Sequence, residues 1–87
     1  MRESIYWEAI AKFGIDSQLN VAVEEMSELT KEICKNNRGF KNVNHIAEEI
    51  ADVEIMLEQL KLIFDCEEAV EDWKDKKIAR LALKIFK

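Results

Sequence analysis

The chain has 87 residues, of which 48% are hydrophobic and 36% are charged, with two glycines and no proline. This composition excludes a disordered chain, a collagen-like fibre and a Gly/Pro-rich all-β fold. The formal net charge of −5 disfavours nucleic acid as a partner, because nucleic-acid binders are usually basic. A single domain over residues 1–87 buries only about 60% of its unfolded surface, so we expect self-association to add stability.

The first two predicted helices cover roughly residues 3–13 and 16–37, and Gly14 between them is typical of a helix end. Asp16 or Ser17 is the expected N-cap of the second helix. An apolar stripe of helical period runs along each helix. Its members are Ile5, Tyr6, Ala9, Ile10 and Phe13 in the first, and Leu19, Ala22, Val23, Met26, Leu29 and Ile33 in the second.

The loop NNRGFKNVN precedes a third predicted helix over roughly residues 45–64, for which Asn44 is the expected N-cap. The stripe of this helix consists of Ile46, Ile50, Val53, Leu57, Leu60 and Phe64. Asp65 and Glu68 predict a capping box at the start of a fourth helix, roughly residues 66–86. No segment alternates with period two, so the sequence predicts an all-α protein of four helices.

The third helix also carries Met56, Leu60 and Ile63 beside its main stripe. Its apolar arc is therefore wider than one neighbouring helix needs, and an exposed arc of this kind favours association. The sequence thus predicts at least a homodimer. Charge is segregated as well: residues 45–72 are rich in acids and residues 74–87 in bases, an order that complements the dipole of the last helix.

The location of the protein is predicted from what the chain lacks. No stretch approaches 18 consecutive apolar residues, so we expect no membrane span. The start, MRESIYWEAI, holds two acids and no small-residue cleavage site, so we expect no signal peptide. Cys34 and Cys66 form no CxxC motif and His45 is the only histidine, which excludes a Cys/His zinc site. Together these features predict a cytoplasmic protein.

A local repeat of acids is the most informative feature of the sequence. Residues 22–29 read AVEEMSEL and residues 46–53 read IAEEIADV. Glutamates and one aspartate align between the two copies: Glu24, Glu25 and Glu28 with Glu48, Glu49 and Asp52. On helices turning about 100° per residue, Glu25 and Glu49 fall at the margin of the apolar stripe. If the two stripes pack together, four acids meet at one edge of the core: Glu25, Glu28, Glu49 and Asp52.

Four neighbouring carboxylates repel one another unless a proton or a cation intervenes. Oxygen-only ligands suit Mg²⁺ or Mn²⁺, and a carboxylate site with open positions suits phosphate-ester or anhydride chemistry. The ordinary alternative is a solvated acidic surface in which Glu28 pairs with Lys31 or Glu32 with Lys35 and the other acids face water. A di-iron site needs a Glu-x-x-His motif on each of two helices. The chain has one histidine, His45, and Asn42 stands three residues before it, so a di-iron site is excluded.

The two motifs, E-E-x-x-E and E-x-x-D, resemble the signature of the MazG-like all-α nucleoside triphosphate pyrophosphohydrolases. The flanking segments, residues 13–35 and 45–60, are similar as well, so the resemblance covers about residues 5–64. It implies a MazG-like four-helix bundle that assembles as a homodimer or a dimer of dimers. It also implies Mg²⁺-dependent hydrolysis of the α–β bond of a nucleoside triphosphate, in the service of nucleotide-pool housecleaning.

The resemblance also assigns roles to residues. It implies that Glu25, Glu28, Glu49 and Asp52 hold the metal, with Glu25 as the catalytic base and with Glu24 and Glu48 orienting the ligands. Four bases are candidates for binding the phosphates: Lys31, Lys35, Lys77 and Arg80. Gln18 and Trp7 are candidates for contacting the nucleobase. The competing hypotheses are a non-catalytic helical interaction protein and a nucleotide-sensing module.

Overall fold

In the computed structural model, which describes residues 1–87, the chain forms four α-helices and no β-strand. Helix α1 spans Arg2–Phe13, α2 spans Ile15–Asn37, α3 spans Val43–Ile63 and α4 spans Glu67–Ile85. The all-α class and the four helices that the sequence predicts are therefore confirmed. Each predicted boundary lies within two residues of the observed one.

Helices α2 and α3 make the largest helix–helix contact, and they run antiparallel. Gln18 near the start of α2 faces Gln59 near the end of α3, and their side chains form a hydrogen bond of 2.6 Å. Helix α1 contacts both α2 and α3. The core lies between these three helices and contains Ile10, Ala22, Val53 and Met56.

The packed faces of α2 and α3 are rotated relative to the predicted stripes. Val23 is 61% exposed, Ile50 41% and Leu57 43%, although the sequence placed all three in the α2–α3 contact. Met56, which the sequence placed beside the stripe, is buried. The rotation brings the acidic positions of both helices towards the contact and leaves part of each apolar stripe on the surface.

The helix junctions confirm Gly14 as the end of α1 and contradict the predicted caps. Gly14 and Gly39 adopt φ values of +90° and +99°, a region that favours glycine. No helix has a side-chain N-cap hydrogen bond, so the capping roles predicted for Asp16 or Ser17, for Asn44 and for Asp65 are wrong. The N-cap positions are instead Gly14, Asn42 and Cys66 for α2, α3 and α4. The helices begin before Asp16, Ser17 and Asn44, so these side chains lie inside the first turn.

Helix α4 extends away from the other helices. It contacts α3 and no other helix, and none of its residues is buried. The chain is accordingly long, at 45 × 34 × 22 Å, and its radius of gyration is 15.8 Å. A globular chain of this length has a radius of gyration of about 12 Å. None of the four helices combines the length and the apolar character needed to cross a membrane.

Candidate metal centre

Three acids from the two long helices converge in the middle of the α2–α3 contact. Glu25 comes from α2, and Glu49 and Asp52 come from α3, one helical turn apart. A carboxylate oxygen from each lies within 4.8 Å of the others, and all three residues are half-buried. We call these three residues the acidic cluster.

The local sequence explains why the acids turn inwards. Val53 and Met56, both buried, follow Glu49 and Asp52 on the same side of α3. On α2, Glu25 lies between the buried Ala22 and the half-buried Leu29, at the three- and four-residue spacings that share a helix face. Packing of these apolar neighbours therefore carries the carboxylates into the contact between the helices.

Glu25 has a pKa raised above its ordinary value of 4.5. The largest cause is partial burial, which disfavours the charged form. Repulsion by Asp52 and a carboxyl–carboxyl hydrogen bond with it come next, followed by repulsion from Glu49 and Glu28. In the absence of a cation, the pair Glu25–Asp52 therefore tends to share a proton.

Glu49 also has a raised pKa, again caused mainly by burial and then by repulsion from Asp52, Glu28 and Glu48. Its Oε2 atom is fully buried and has no hydrogen-bond partner. Buried polar atoms in folded proteins almost always have a hydrogen-bond partner. This oxygen has none, and a bound cation would provide the missing partner. The donor set of the cluster consists only of carboxylate oxygens, the ligands preferred by Mg²⁺ and Mn²⁺.

The other acids of the repeat lie around the cluster. Glu28 is exposed and is not one of the three converging residues, although it repels both Glu25 and Glu49. Glu48 is exposed and repels Glu49, and Glu24 is exposed with no resolved interaction with the cluster. Of the four predicted metal ligands, the structure thus brings three together and leaves Glu28 at the edge.

Asn42 and Glu32 form a clamp next to the cluster that the sequence analysis missed. Asn42 is buried, and its Nδ2 donates to the backbone oxygen and to the Oε1 atom of Glu32, each at 2.9 Å. The hydrogen bond that the side-chain amide of Asn42 donates to Glu32 is the main reason that the pKa of Glu32 is lowered. Asn42 lies in a loop without periodicity, so no sequence pattern indicates this contact.

The predicted phosphate-binding residues occupy different parts of the molecule. Lys35 Nζ lies 3.4 Å from Glu32 Oε2, which forms the ion pair that the surface hypothesis proposed. Lys31 is exposed and forms no ion pair, with Glu28 or with any other acid. Lys77 and Arg80 lie on α4, which does not contact α2. Lys77 Nζ lies 5.8 Å from the ring centre of Trp73.

The two predicted nucleobase contacts differ in accessibility. Gln18 is 6% exposed and its amide is already engaged with Gln59. Trp7 is 47% exposed on α1. Their roles in base binding stay predictions, and Trp7 is the more accessible of the two.

Comparison of the chain with protein-family models, with curated proteins and with solved structures finds no match. The resemblance to the MazG-like pyrophosphohydrolases therefore stays a prediction that depends on the two acidic motifs. Chemically, the cluster can bind a hard divalent cation, and without one the raised pKa of Glu25 favours its protonated form.

Proposed function

We propose that this protein is a Mg²⁺-dependent nucleotide pyrophosphohydrolase that serves nucleotide-pool housecleaning. It cleaves the α–β bond of a ribo- or deoxyribonucleoside triphosphate and releases the monophosphate and pyrophosphate. The observation that carries the proposal is the convergence of Glu25, Glu49 and Asp52, with the Oε2 atom of Glu49 buried and unpartnered.

Within this proposal, Glu25, Glu49 and Asp52 hold the cation, and Glu28 contributes from the edge of the site. Held by these residues, Mg²⁺ would supply Lewis-acid polarisation of the phosphoryl oxygens and would make water a better nucleophile. The carboxylate of Glu25 accepts the proton of the attacking water, the role that the resemblance implies for it. Glu24 and Glu48 stay exposed beside the ligands and keep the surface around them acidic.

The leaving pyrophosphate needs positive charge in addition to the cation. Lys31 is the best candidate on α2 because it is exposed and forms no ion pair. Lys35 reaches the phosphates only after it leaves Glu32, which it contacts at 3.4 Å. Lys77 and Arg80 of the same chain lie on a helix that does not contact α2, so a neighbouring copy is their more direct source.

We propose that the protein acts as a homodimer or a dimer of dimers. Apolar side chains of the predicted stripes are 40–61% exposed on α2 and α3: Val23, Met26, Ile33, Ile50, Leu57 and Phe64. Surface of this kind is more typical of an interface than of a monomer. The free thiols of Cys34 and Cys66 agree with the cytoplasmic location that the sequence predicts.

The enzymatic proposal is tested by pyrophosphate release from a panel of ribo- and deoxyribonucleoside triphosphates, measured with Mg²⁺ and with EDTA. We expect release that needs the metal and is lost in Glu49→Gln, since this change removes a ligand charge. Glu8→Gln, on the exposed surface of α1, is the matched control and retains activity. Release that continues in Glu49→Gln, or that continues in EDTA, contradicts the proposed site.

The alternative is a helical interaction or nucleotide-sensing module, and the observation in its favour is the exposed apolar surface of α4. A sensor binds Mg²⁺ and nucleotide without releasing pyrophosphate. A pure interaction module shows neither metal binding nor turnover. The same panel, combined with melting curves in Mg²⁺, therefore separates the three functions.

A further inference from the structure

A groove of about 700 Å³ lies between α1 and α3, on the side of α3 that faces away from the acidic cluster. Its floor is apolar and includes Ile5, Tyr6, Ile55 and Leu62. Acids line it as well: Glu3, Glu54, Glu58 and Glu67, against one base, Arg2. The groove is therefore an apolar channel with an acidic rim, which suits an amphipathic helix that carries bases.

Helix α4 has the properties of such a ligand. Ile78, Leu81 and Ile85 are 54–62% exposed, and Leu83 and Phe86 are more exposed still. Bases dominate its second half: Lys74, Lys76, Lys77, Arg80, Lys84 and Lys87, against the single acid Asp75. At about 100° per residue, Ile78, Leu81 and Ile85 share one side of α4, and Lys77 and Lys84 lie next to that side, about 70–90° around the helix from its middle.

The chain does not insert its own α4 into its own groove. Helix α4 contacts α3 only, whereas the groove is bounded by α1 as well. Backbone hydrogen bonds close the turn between α3 and α4: Phe64 to Leu60, Asp65 to Leu62 and Cys66 to Lys61. These bonds, together with the φ of +49° at Asp65, fix the direction in which α4 leaves α3.

The surface area of the chain indicates how much of it a partner covers. The chain exposes 7097 Å². A folded monomer of this mass exposes about 5,300 Å². The excess of roughly 1,800 Å² per chain exceeds the roughly 800 Å² per partner of a standard interface and falls in the range of obligate homodimers.

We propose that two copies of this chain exchange their fourth helices, so that α4 of each copy lies in the α1–α3 groove of the other. The apolar side of α4 covers Ile5, Ile55 and Leu62, and the flanking Lys77 and Lys84 face the acidic rim. A chain that presents both the groove and the helix closes into a two-fold pair, in which each contact is made twice. This exchange names the surfaces through which the proposed self-association occurs. It rests on that self-association and is independent of the proposed hydrolysis.

Cross-linking between two differently marked chains tests the exchange. In a background with Cys34→Ser and Cys66→Ser, one chain carries Ile55→Cys in the groove and a second, size-tagged chain carries Leu81→Cys on α4. The two are mixed, allowed to exchange subunits and treated with a short bifunctional maleimide. We expect a covalent product that contains one chain of each kind. Ser27→Cys, on the exposed surface of α2, replaces Ile55→Cys as the control and gives at least tenfold less product.

Charge reversal provides a second test that leaves the apolar surfaces intact. We expect Glu3→Lys with Glu54→Lys to raise the dimer dissociation constant at least tenfold, and Lys77→Glu with Lys84→Glu on α4 to restore it in the same chain. A dimer that forms without the cross-link overturns the exchange and leaves self-association in place. A monomer at micromolar concentration overturns both, and so does a monomer that binds vesicles of anionic phospholipid through α4.

Discussion

Glu49 presents a buried oxygen atom to the middle of the α2–α3 contact, and no protein group donates to it. Two neighbouring carboxylates, from Glu25 and Asp52, lie close enough to repel it. Without a cation, this arrangement opposes folding, because burial and repulsion both act against the charged form. With a cation, the same carboxylates become its ligands.

We predict that Glu49→Gln raises the melting temperature of the metal-free protein at pH 7, because an amide relieves the repulsion among the acids. The same substitution abolishes the rise in melting temperature that millimolar Mg²⁺ causes in the unmodified chain. Thermal scans with EDTA and with Mg²⁺ measure both effects. Glu8→Gln changes neither, and a variant of Glu49 that still responds fully to Mg²⁺ rules out the cluster as the binding site.

We predict that the metal-free protein becomes less stable as the pH rises above 4.5. Glu25 and Glu49 have pKa values above 4.5 in the fold, so the folded chain binds more protons than the unfolded chain over this range. Glu32 has the opposite effect below pH 4.5. Because its pKa is lowered in the fold, its contribution to stability is lost as the pH falls and the carboxylate becomes protonated. Unfolding in urea across a pH series measures the profile.

With Mg²⁺ present, the fall above pH 4.5 becomes smaller or disappears, since the cation replaces the missing protons. A metal-free profile that rises between pH 4.5 and 7 contradicts the raised pKa values of the cluster.

Single residues were predictable where their chemistry and spacing carried the signal. The acids of the cluster were found because three- and four-residue spacings place side chains on one helix face. Asn42 was missed because its partner, Glu32, lies ten positions earlier and comes near only when the loop closes. Glu28 lies at the edge of the cluster and outside the three converging acids, because the packed face of α2 is rotated relative to the predicted stripe.

At the scale of elements, the loop between α2 and α3 provides a matched pair of asparagines. Asn42→Ala removes two hydrogen bonds to the half-buried Glu32 and a third that Asn36 donates to the Oδ1 atom of Asn42. We expect a loss of about 1–3 kcal/mol in the free energy of unfolding. Asn44→Ala changes it by less than about 0.5 kcal/mol, because Asn44 is exposed in the first turn of α3. Urea titration distinguishes the two, and equal losses contradict the clamp.

The helices were predictable in length and not in orientation. Their bounds follow from the glycines and from the periodicity of apolar residues, both of which are local. Their packed faces depend on how many neighbours each helix has. Val23 and Leu57 are apolar, yet they are 61% and 43% exposed. A periodic apolar stripe therefore indicates which residues favour burial, but it does not indicate which helix packs against them.

At the scale of the molecule, the proposed self-association links stability to protein concentration. Only 7 of 87 residues are buried, which leaves a thin core for a chain that stands alone. We predict that the melting temperature rises with protein concentration between 1 and 100 µM (about two decades), because association stabilises the folded chain by mass action. Differential scanning calorimetry at several concentrations measures this, and a constant melting temperature together with a monomeric mass contradicts self-association.

The isolation of α4 also sets the order of folding. Helices α2 and α3 are joined by a short loop, so their pairing is a local, unimolecular event that needs no second chain. A single helix of 19 residues without tertiary contacts is only marginally stable in water. Under the proposed exchange, α4 therefore becomes ordered in a slower, second-order step whose rate depends on meeting another molecule. Dilution reverses that step first, and it exposes α4 to proteases while the α2–α3 hairpin is still folded.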